Sequence, residues 1–335
     1  MTHRLAQLIF VPAALLLSVS SHADVASRTD VQDFISQMVS KHGFEDEPLK
    51  KLFGQVQLQE DIISAITRPA ESKPWHQYRP IFVTESRIRQ GAEFWREHAE
   101  VLAEAERRYG VPAPILVAIL GVETRYGRHR GGYRVIDSLS TLTFDYPPRA
   151  KFFRGELEEY LLMSREEAID PLELTGSYAG AMGQPQFIPS SFRAYAVDFD
   201  DDGRRDLWDN IDDIIGSVAN YFSRHHWRSG EPIAVRAKVN GNKHQPLLDK
   251  GYRPSITAGK LGKLGVKPQM PIDPKLDAAL VALETEEGME HWVTLHNFYV
   301  ITRYNHSELY AMAVYQLAEE IRATYEANGA TGEAS

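Results

Sequence analysis

The stretch Ile115–Gly127, ILVAILGVETRYG, is apolar almost throughout until Glu123 arrives. On a helix Glu123 falls four residues after Ile119, three after Leu120 and seven after Leu116, so it shares a face with residues that must be buried. Val111-Pro112-Ala113-Pro114 opens this helix, since proline is tolerated in a first turn. Gly127 marks its end within a turn of Glu123. Desolvation disfavours the charged carboxylate, and the negative end of the helix dipole does the same. Both push its pKa upward, and a carboxylic acid kept protonated near neutral pH is suited to protonating a glycosidic oxygen. The alternative is a buried structural glutamate paired with Arg125, Arg128 or a more distant arginine.

Around this helix the chain reads as mainly α, of α+β class. Residues 24–110 are expected to form an N-terminal helical domain, in which Thr84 caps one helix running to Tyr109 and Gly110 stops it. Residues 111–230 hold the central helix and two further helical patterns, PRAKFFRGELEEYLLMSREE and DNIDDIIGSVANYFSRHHW. After Trp227 the texture changes to more Gly, Pro and Lys. Alternation in IAVRAKV (233–239), and AALVALE and HWVTLH about a turn at Glu286-Glu287-Gly288, predict a small β-rich insertion over 231–296. Residues 297–335 return to helix, capped at Ser307, with a frayed tail.

The chain has 335 residues, 43% hydrophobic and 25% charged, which is ordinary globular composition. A net charge of −9 argues against a general nucleic-acid binder. MTHRLAQLIFVPAALLLSVSSHA reads as a cleavable secretory signal over 1–23: Arg4, an apolar core from Leu8 to Leu17, and Ser21-His22-Ala23 as small-x-small site. The rival is a retained membrane anchor, but the apolar core is short for a span. With Arg4 removed, 36 cations face 46 acids, a net of −10. There is no cysteine, hence no disulfide and no N-terminal lipid attachment. A periplasmic protein, with no transmembrane segment in the mature chain and monomeric, is the expectation.

GVETRYG, then GSYAGAMGQPQFIPSSFRAYAVDFDDDGRRDLWD, then ITRYNHSELYAMAV stand in one order over roughly Pro74 to Leu317. In these motifs the chain resembles the MltB-type lytic murein transglycosylases, family 103 glycoside hydrolases with a lysozyme-like core. The resemblance implies cleavage of peptidoglycan glycan strands between N-acetylmuramic acid and N-acetylglucosamine without water. The muramyl C6 hydroxyl attacks C1 and leaves a 1,6-anhydro ring, which makes the enzyme a carbon–oxygen lyase needing no cofactor. One glutamate, matching Glu123, acts as acid and then base. The matching motifs imply Ser177 and Gln186 as substrate contacts, with Gln186 preferred over Gln184. They imply Tyr221, Tyr304, Asn305 and Tyr310 along the cleft, Tyr78 closing one side, and Arg149 toward the peptide or lactyl group. Two departures stand out: Pro148 replaces the first of two arginines, and MGQPQF replaces a motif commonly read MGYGQF. From chemistry alone, aromatic faces and planar amides suit sugar rings and acetamido groups; each tyrosine taken singly reads as core filling.

DFDDDGRRDLWD fits the twelve-position calcium loop, with Asp198, Asp200, Asp202, the Arg204 carbonyl, Asp206 and Asp209 at positions 1, 3, 5, 7, 9 and 12 and Gly203 at the turn. So many close carboxylates repel one another unless a cation sits among them. Structural Ca²⁺ is expected, Na⁺ being the alternative, with a modest affinity because position 12 is Asp rather than Glu. A solvated acidic loop is the plainer reading. GSYAG places Ser177 one residue early for a nucleophile elbow, which excludes a serine hydrolase. Lys243 to Lys267 could meet anionic peptidoglycan, though such a run is more often a solvated face.

The rivals to a lytic transglycosylase are three, of which a calcium-dependent structural protein is disfavoured by the cleft motifs. A hydrolytic muramidase would need a second carboxylate, for which Asp145 is a poor candidate. A peptidoglycan-binding scaffold would instead recruit cell-wall synthases or amidases.

Overall fold

The computed structural model describes residues 25–68 and 73–332, with side chains to Asn328. The expected signal, residues 1–23, lies outside the described residues. The chain divides into two compact units, one ending at Val56 and one starting at Gln57. The boundary expected at residue 110 falls inside the second unit.

In the first unit a 3₁₀ turn (Val25–Ser27) leads into α1 (Thr29–His42) and α2 (Asp46–Phe53). Val31, Phe34, Ile35 and Met38 recur at helical spacing on α1 and are buried, and the Phe34 ring meets Phe53 edge-on at 5.7 Å.

The second unit begins with α3 (Glu60–Ile66), α4 (Trp75–Phe82), α5 (Glu85–Glu97), α6 (Ala99–Tyr109) and α7 (Ala113–Thr124). The Thr84 hydroxyl accepts from the Arg87 amide and caps α5 as expected. The single helix predicted from Thr84 to Tyr109 is broken at His98, whose ψ of 29° leaves the helical range. His98 packs edge-on against Phe94 at 4.5 Å, and the break lets α5 lie on the C-terminal helix while α6 lies on the helix Ile211–Arg224. Periodicity continues through His98, so the sequence pattern carries no sign of this change of partner.

β1 (Tyr133–Arg134), α8 (Val135–Phe144), α9 (Ala150–Glu166), β2 (Thr175–Gly176), α10 (Pro189–Tyr195) and α11 (Ile211–Arg224) follow. The Asn210 side chain caps α11 by accepting from the Asp212 and Asp213 amides. β3 (Ala234–Val239), α12 (Gln245–Leu248), β4 (Ile256–Thr257), a 3₁₀ helix (Ala258–Leu264), β5 (Val266–Pro268), β6 (Asp277–Thr285) and β7 (Gly288–Thr294) make the β-rich insertion. Its strands lie in the order β4-β6-β7-β3-β5, antiparallel throughout. One face, with Ala237, Val266, Ala278, Leu280 and Val293, is covered by Leu247 of α12 and Leu261 of the 3₁₀ helix. α13 (His296–Tyr304) and α14 (Glu308–Gly332) return to the helical core.

α7 is the centre of that core. Every residue from Ala113 to Val122 is buried, because α14, α5, α6 and α11 surround it. A helix apolar on all sides has no stable place except an interior. Gly121 and Gly91 allow the close crossing of α7 and α5. A Cβ built on either would come within 2.6 Å of the Tyr126 hydroxyl, which lies between the two helices and donates to the Arg87 carbonyl at 2.8 Å.

Candidate active site

α7 delivers Glu123 at its last turn and then reverses sharply. Arg125 and Tyr126 both take left-handed backbone conformations, φ 52° and 58°, although neither is glycine. Such residues cost about 1–3 kcal/mol each unless their surroundings impose them. Here Arg125 donates to Gln90 Oε1 (3.1 Å) and Ser86 Oγ (2.9 Å) on α5, while the Tyr126 ring stacks on Phe94 at 5.6 Å. Arg125 is thus held by α5, away from the role of counter-ion to Glu123 that one reading of the sequence gave it.

Three hydrogen bonds join the three sequence motifs. Thr124 Oγ1 donates to the Gln184 carbonyl at 2.9 Å, Tyr304 Oη donates to the Pro185 carbonyl at 2.6 Å, and Tyr310 Oη donates to Glu123 Oε1 at 2.5 Å. Segments nearly 190 residues apart, as counted between Glu123 and Tyr310, therefore meet at one carboxylate. Burial among these groups pushes the Glu123 pKa up to about 7, and the Tyr310 hydrogen bond opposes that rise. Burial, with the charge of Glu123 adding to it, holds the Tyr304 and Tyr310 hydroxyls well above the usual phenol range, so both are donors at neutral pH.

The tyrosines form one aromatic wall. Tyr310 stacks with Tyr304 (6.5 Å, 10° between planes), Tyr304 meets Tyr221 at 4.8 Å, and Tyr221 stacks on His225 at 4.2 Å. Tyr221 Oη donates to the Arg303 carbonyl at 2.6 Å, which ties α11 to α13. Phe187 packs against both Tyr221 (5.7 Å) and Tyr304 (5.9 Å). Sequence reasoning did not single out Phe187, Thr124 or Tyr126. All three sit inside the quoted motifs, and their spacing gave no sign of these roles.

The glycine-rich loop is fixed from within. Gly176 bridges Met182, and Met182 bridges Phe187. Ser177 Oγ accepts from the Ala179 and Ala181 amides at 3.3 and 3.0 Å, so it shapes the loop in this structure. Gly183 takes φ 66°, and a Cβ there would lie 2.4 Å from the Leu207 carbonyl oxygen, which only glycine allows. Gln186 is left-handed at φ 54°, and its Nε2 donates to the Arg130 and Gly183 carbonyls at 3.2 and 2.9 Å. Gln184 Nε2 donates to the Trp208 carbonyl at 3.1 Å, while its Oε1 is buried without a partner.

The remaining expected contacts lie in other surroundings. Asn305 ends α13 in extended backbone, and its carbonyl accepts from the Ser307 amide at 2.7 Å. Tyr78 is buried on α4, its ring near Trp75 (6.4 Å) and Phe82 (5.2 Å). Arg149 is exposed before α9, with its guanidinium over Phe152 (4.4 Å) and Phe153 (5.1 Å). Asp145, the second carboxylate considered, is exposed at the end of α8.

In the acidic loop, oxygens of Asp198, Asp200 and Asp202 lie within 4.8 Å of one another. Asp198 accepts from the Asp202 and Gly203 amides (2.9 and 2.8 Å), and Asp202 accepts from the Arg204 amide at 2.9 Å. This hard-oxygen set fits a Ca²⁺-like cation. Asp206 accepts from the Trp208 and Asp209 amides, and Asp209 is paired with Arg130 at 2.9 Å, so neither joins the three-carboxylate cluster here. Sequence reasoning passed over Asp213. It is buried on α11 and accepts from the Phe199 amide (2.6 Å) and the Asp206 amide (2.8 Å), closing both ends of the loop. Burial pushes its pKa up to about 6 against those two bonds, with the Asp200 and Asp198 charges adding to the rise. An open cavity of about 950 Å³ beside this loop is lined by Arg128, Arg130, Arg205 and Trp208 and does not include Glu123.

The family model described as a transglycosylase SLT domain matches residues 26–319. The chain belongs to the SLT-domain transglycosylases. It is 44% identical over 308 residues to the membrane-bound lytic murein transglycosylase B of Escherichia coli (strain K12), across 89% of this chain and 84% of that protein. Among solved structures, soluble lytic transglycosylase SltB1 from Pseudomonas aeruginosa superposes with TM-score 0.84 at 52% identity, over 88% of this chain and 98% of that one. The Escherichia coli lytic transglycosylase Slt35 in complex with calcium gives TM-score 0.84 at 43% identity, over 90% and 95% of the two chains. The lysozyme-like, mainly helical fold expected from the motifs is therefore the fold of this lytic transglycosylase.

Proposed function

We propose that this transglycosylase cleaves the β-1,4 bond between N-acetylmuramic acid and N-acetylglucosamine in peptidoglycan, with Glu123 as the acid and then the base. The observation that carries the reading is the Glu123 carboxyl group, half-buried at a helix end and hydrogen-bonded to Tyr310 at 2.5 Å, where burial pushes its pKa up to about 7. Protonated Glu123 gives its proton to the glycosidic oxygen as the C1–O bond breaks. The carboxylate left behind takes the proton of the muramyl C6 hydroxyl as O6 bonds to C1. The proton count closes without water, and the product ends in 1,6-anhydromuramic acid. Tyr310 steadies the carboxylate in its charged interval, because a hydrogen bond to the charged form favours it.

Ser177, Gln186, Tyr221, Tyr304, Asn305, Tyr78 and Arg149 are the substrate contacts of this reading. The Tyr221–Tyr304–Tyr310 wall offers ring faces to sugars. Ca²⁺ held by Asp198, Asp200 and Asp202, with Asp213 bracing the loop, has a structural role; Slt35 of Escherichia coli has been solved with calcium. Export to the periplasm through residues 1–23 places the enzyme beside this substrate. No helix of the described residues is long and apolar enough to cross a membrane.

The test is mass spectrometry of soluble products from purified peptidoglycan treated with the mature protein and with Glu123→Gln. Anhydromuramic ends with the first and none with the second are expected. Reducing ends carrying an added water would replace this reading with a hydrolytic muramidase.

A further inference from the structure

The sheet insertion carries a charge pattern that glycan cleavage does not use. From Arg236 to Lys275 there are nine Lys and Arg against two acids, Asp249 and Asp273, a net of +7 in a chain of net −9. All nine cations are exposed. Arg236 is paired with Glu290 at 2.9 Å, and Arg253 lies over the Tyr299 ring at 5.8 Å. The seven lysines Lys238, Lys243, Lys250, Lys260, Lys263, Lys267 and Lys275 make no ion pair among the described residues.

Two pairs of these lysines are held side by side by the fold. Lys238 on β3 stands directly opposite Lys267 on β5, a register fixed because Ala237 and Val266 are buried in the sheet core. Directly opposed side chains sit about 5 Å apart at Cβ, where like charges repel. Lys260 and Lys263 are three residues apart on the 3₁₀ helix Ala258–Leu264, where side chains eclipse. Leu261 is buried beneath them and fixes their outward direction. An edge-strand lysine is an ordinary guard against unwanted strand pairing. That accounts for Lys267 on the sheet edge, and for none of the lysines on the turns and the 3₁₀ helix.

We propose that this basic insertion docks the enzyme on the carboxylate-bearing stem peptides of murein, apart from the bond-breaking site, with Lys238 and Lys267 on one side of it and Lys260 and Lys263 on the other. The proposal rests on the peptidoglycan reading above. Charge is complementary: a mesh rich in carboxylates is repelled by the rest of the chain, at −16, and attracted by this one region. Each exposed lysine contributes little alone, and several acting on one polymer add through effective concentration.

The experiment pellets the full chain carrying Glu123→Gln, which leaves the sacculus uncut, with purified sacculi. Lys238→Glu with Lys267→Glu, and Lys260→Glu with Lys263→Glu, are compared with a control of equal charge change, Lys41→Glu with Lys51→Glu. Each test pair is expected to weaken retention about three- to tenfold, and the control to retain binding. Raising salt from about 0.1 M to about 1 M, which shortens screening from ~10 to ~3 Å, should release the parent chain. Unchanged retention with all four lysines reversed overturns the proposal, as does equal retention on sacculi stripped of their peptides. Stronger binding to phosphatidylglycerol vesicles than to sacculi would overturn it and assign the basic insertion to a membrane instead. The binding result does not depend on which product the active enzyme makes, so failure of the cleavage reading would appear separately, in the mass spectra.

Discussion

At Glu123 the protein keeps a proton that an unfolded chain would give up. The folded pKa is about 7 against an ordinary 4.5, so the folded state binds more protons between those values and stability falls as pH rises through that window. Glu123→Gln removes the effect. The variant should lose turnover yet be more stable than the parent by about 1–3 kcal/mol at pH 8, with the difference vanishing below pH 4.5; urea melts at the two pH values check this. Activity of the parent should decline above pH 7 as the acid ionises. Tyr310→Phe removes the bond that lowers this pKa, so the alkaline limb of kcat/KM should move to higher pH, which a pH–rate profile reads directly. The carboxylate in an apolar helix was legible in the sequence, because spacing alone puts Glu123 on the face of Leu116, Ile119 and Leu120. Its partner Tyr310 was legible only through the resemblance, since no periodicity links residues so far apart. Asp213 was not legible at all. It lies beyond the twelve-position pattern, and only the folded loop brings the Phe199 and Asp206 amides to it.

At the scale of elements, the site depends on how closely α5 and α7 approach. Gly121→Ala would drive a methyl group into the Tyr126 ring and hydroxyl, at 2.6–3.0 Å. A loss of about 1–3 kcal/mol in thermal or urea stability is expected, with reduced activity because the reversal after Glu123 must shift. The acidic loop gives a second prediction. Ca²⁺ at ~100 times its Kd should stabilise the protein by about 2.7 kcal/mol, seen as a higher Tm, and Asp200→Asn with Asp202→Asn should abolish the shift. Strands β3, β6 and β7 were readable from alternation and the Glu286-Glu287-Gly288 turn. The two-residue strands β1, β2 and β4 were not, because so short a run carries no period. The His98 break was hidden for the opposite reason: local propensity favours continuation, and tertiary partners decide otherwise.

At the scale of the whole molecule, the sheet is inserted between α11 and α13, so the helical core is closed by the last helices of the chain. α14 packs on α4, α5, α7 and α13. A chain ending at Asn305 should therefore lose cooperative melting and near-UV circular dichroism together, rather than activity alone. Non-local closure of this kind also predicts slow refolding. The burial of Glu123 by a helix that comes last in the chain has a temporal consequence. A cell-wall-cutting enzyme is dangerous to the cell that makes it while it is still in transit. Until the residues around Tyr310 have emerged and packed, Glu123 faces water with the acidity of any surface glutamate, and at neutral pH it has no proton to give a glycosidic oxygen. The order in which the polypeptide is delivered thus works as a safety catch, released only by its final helix.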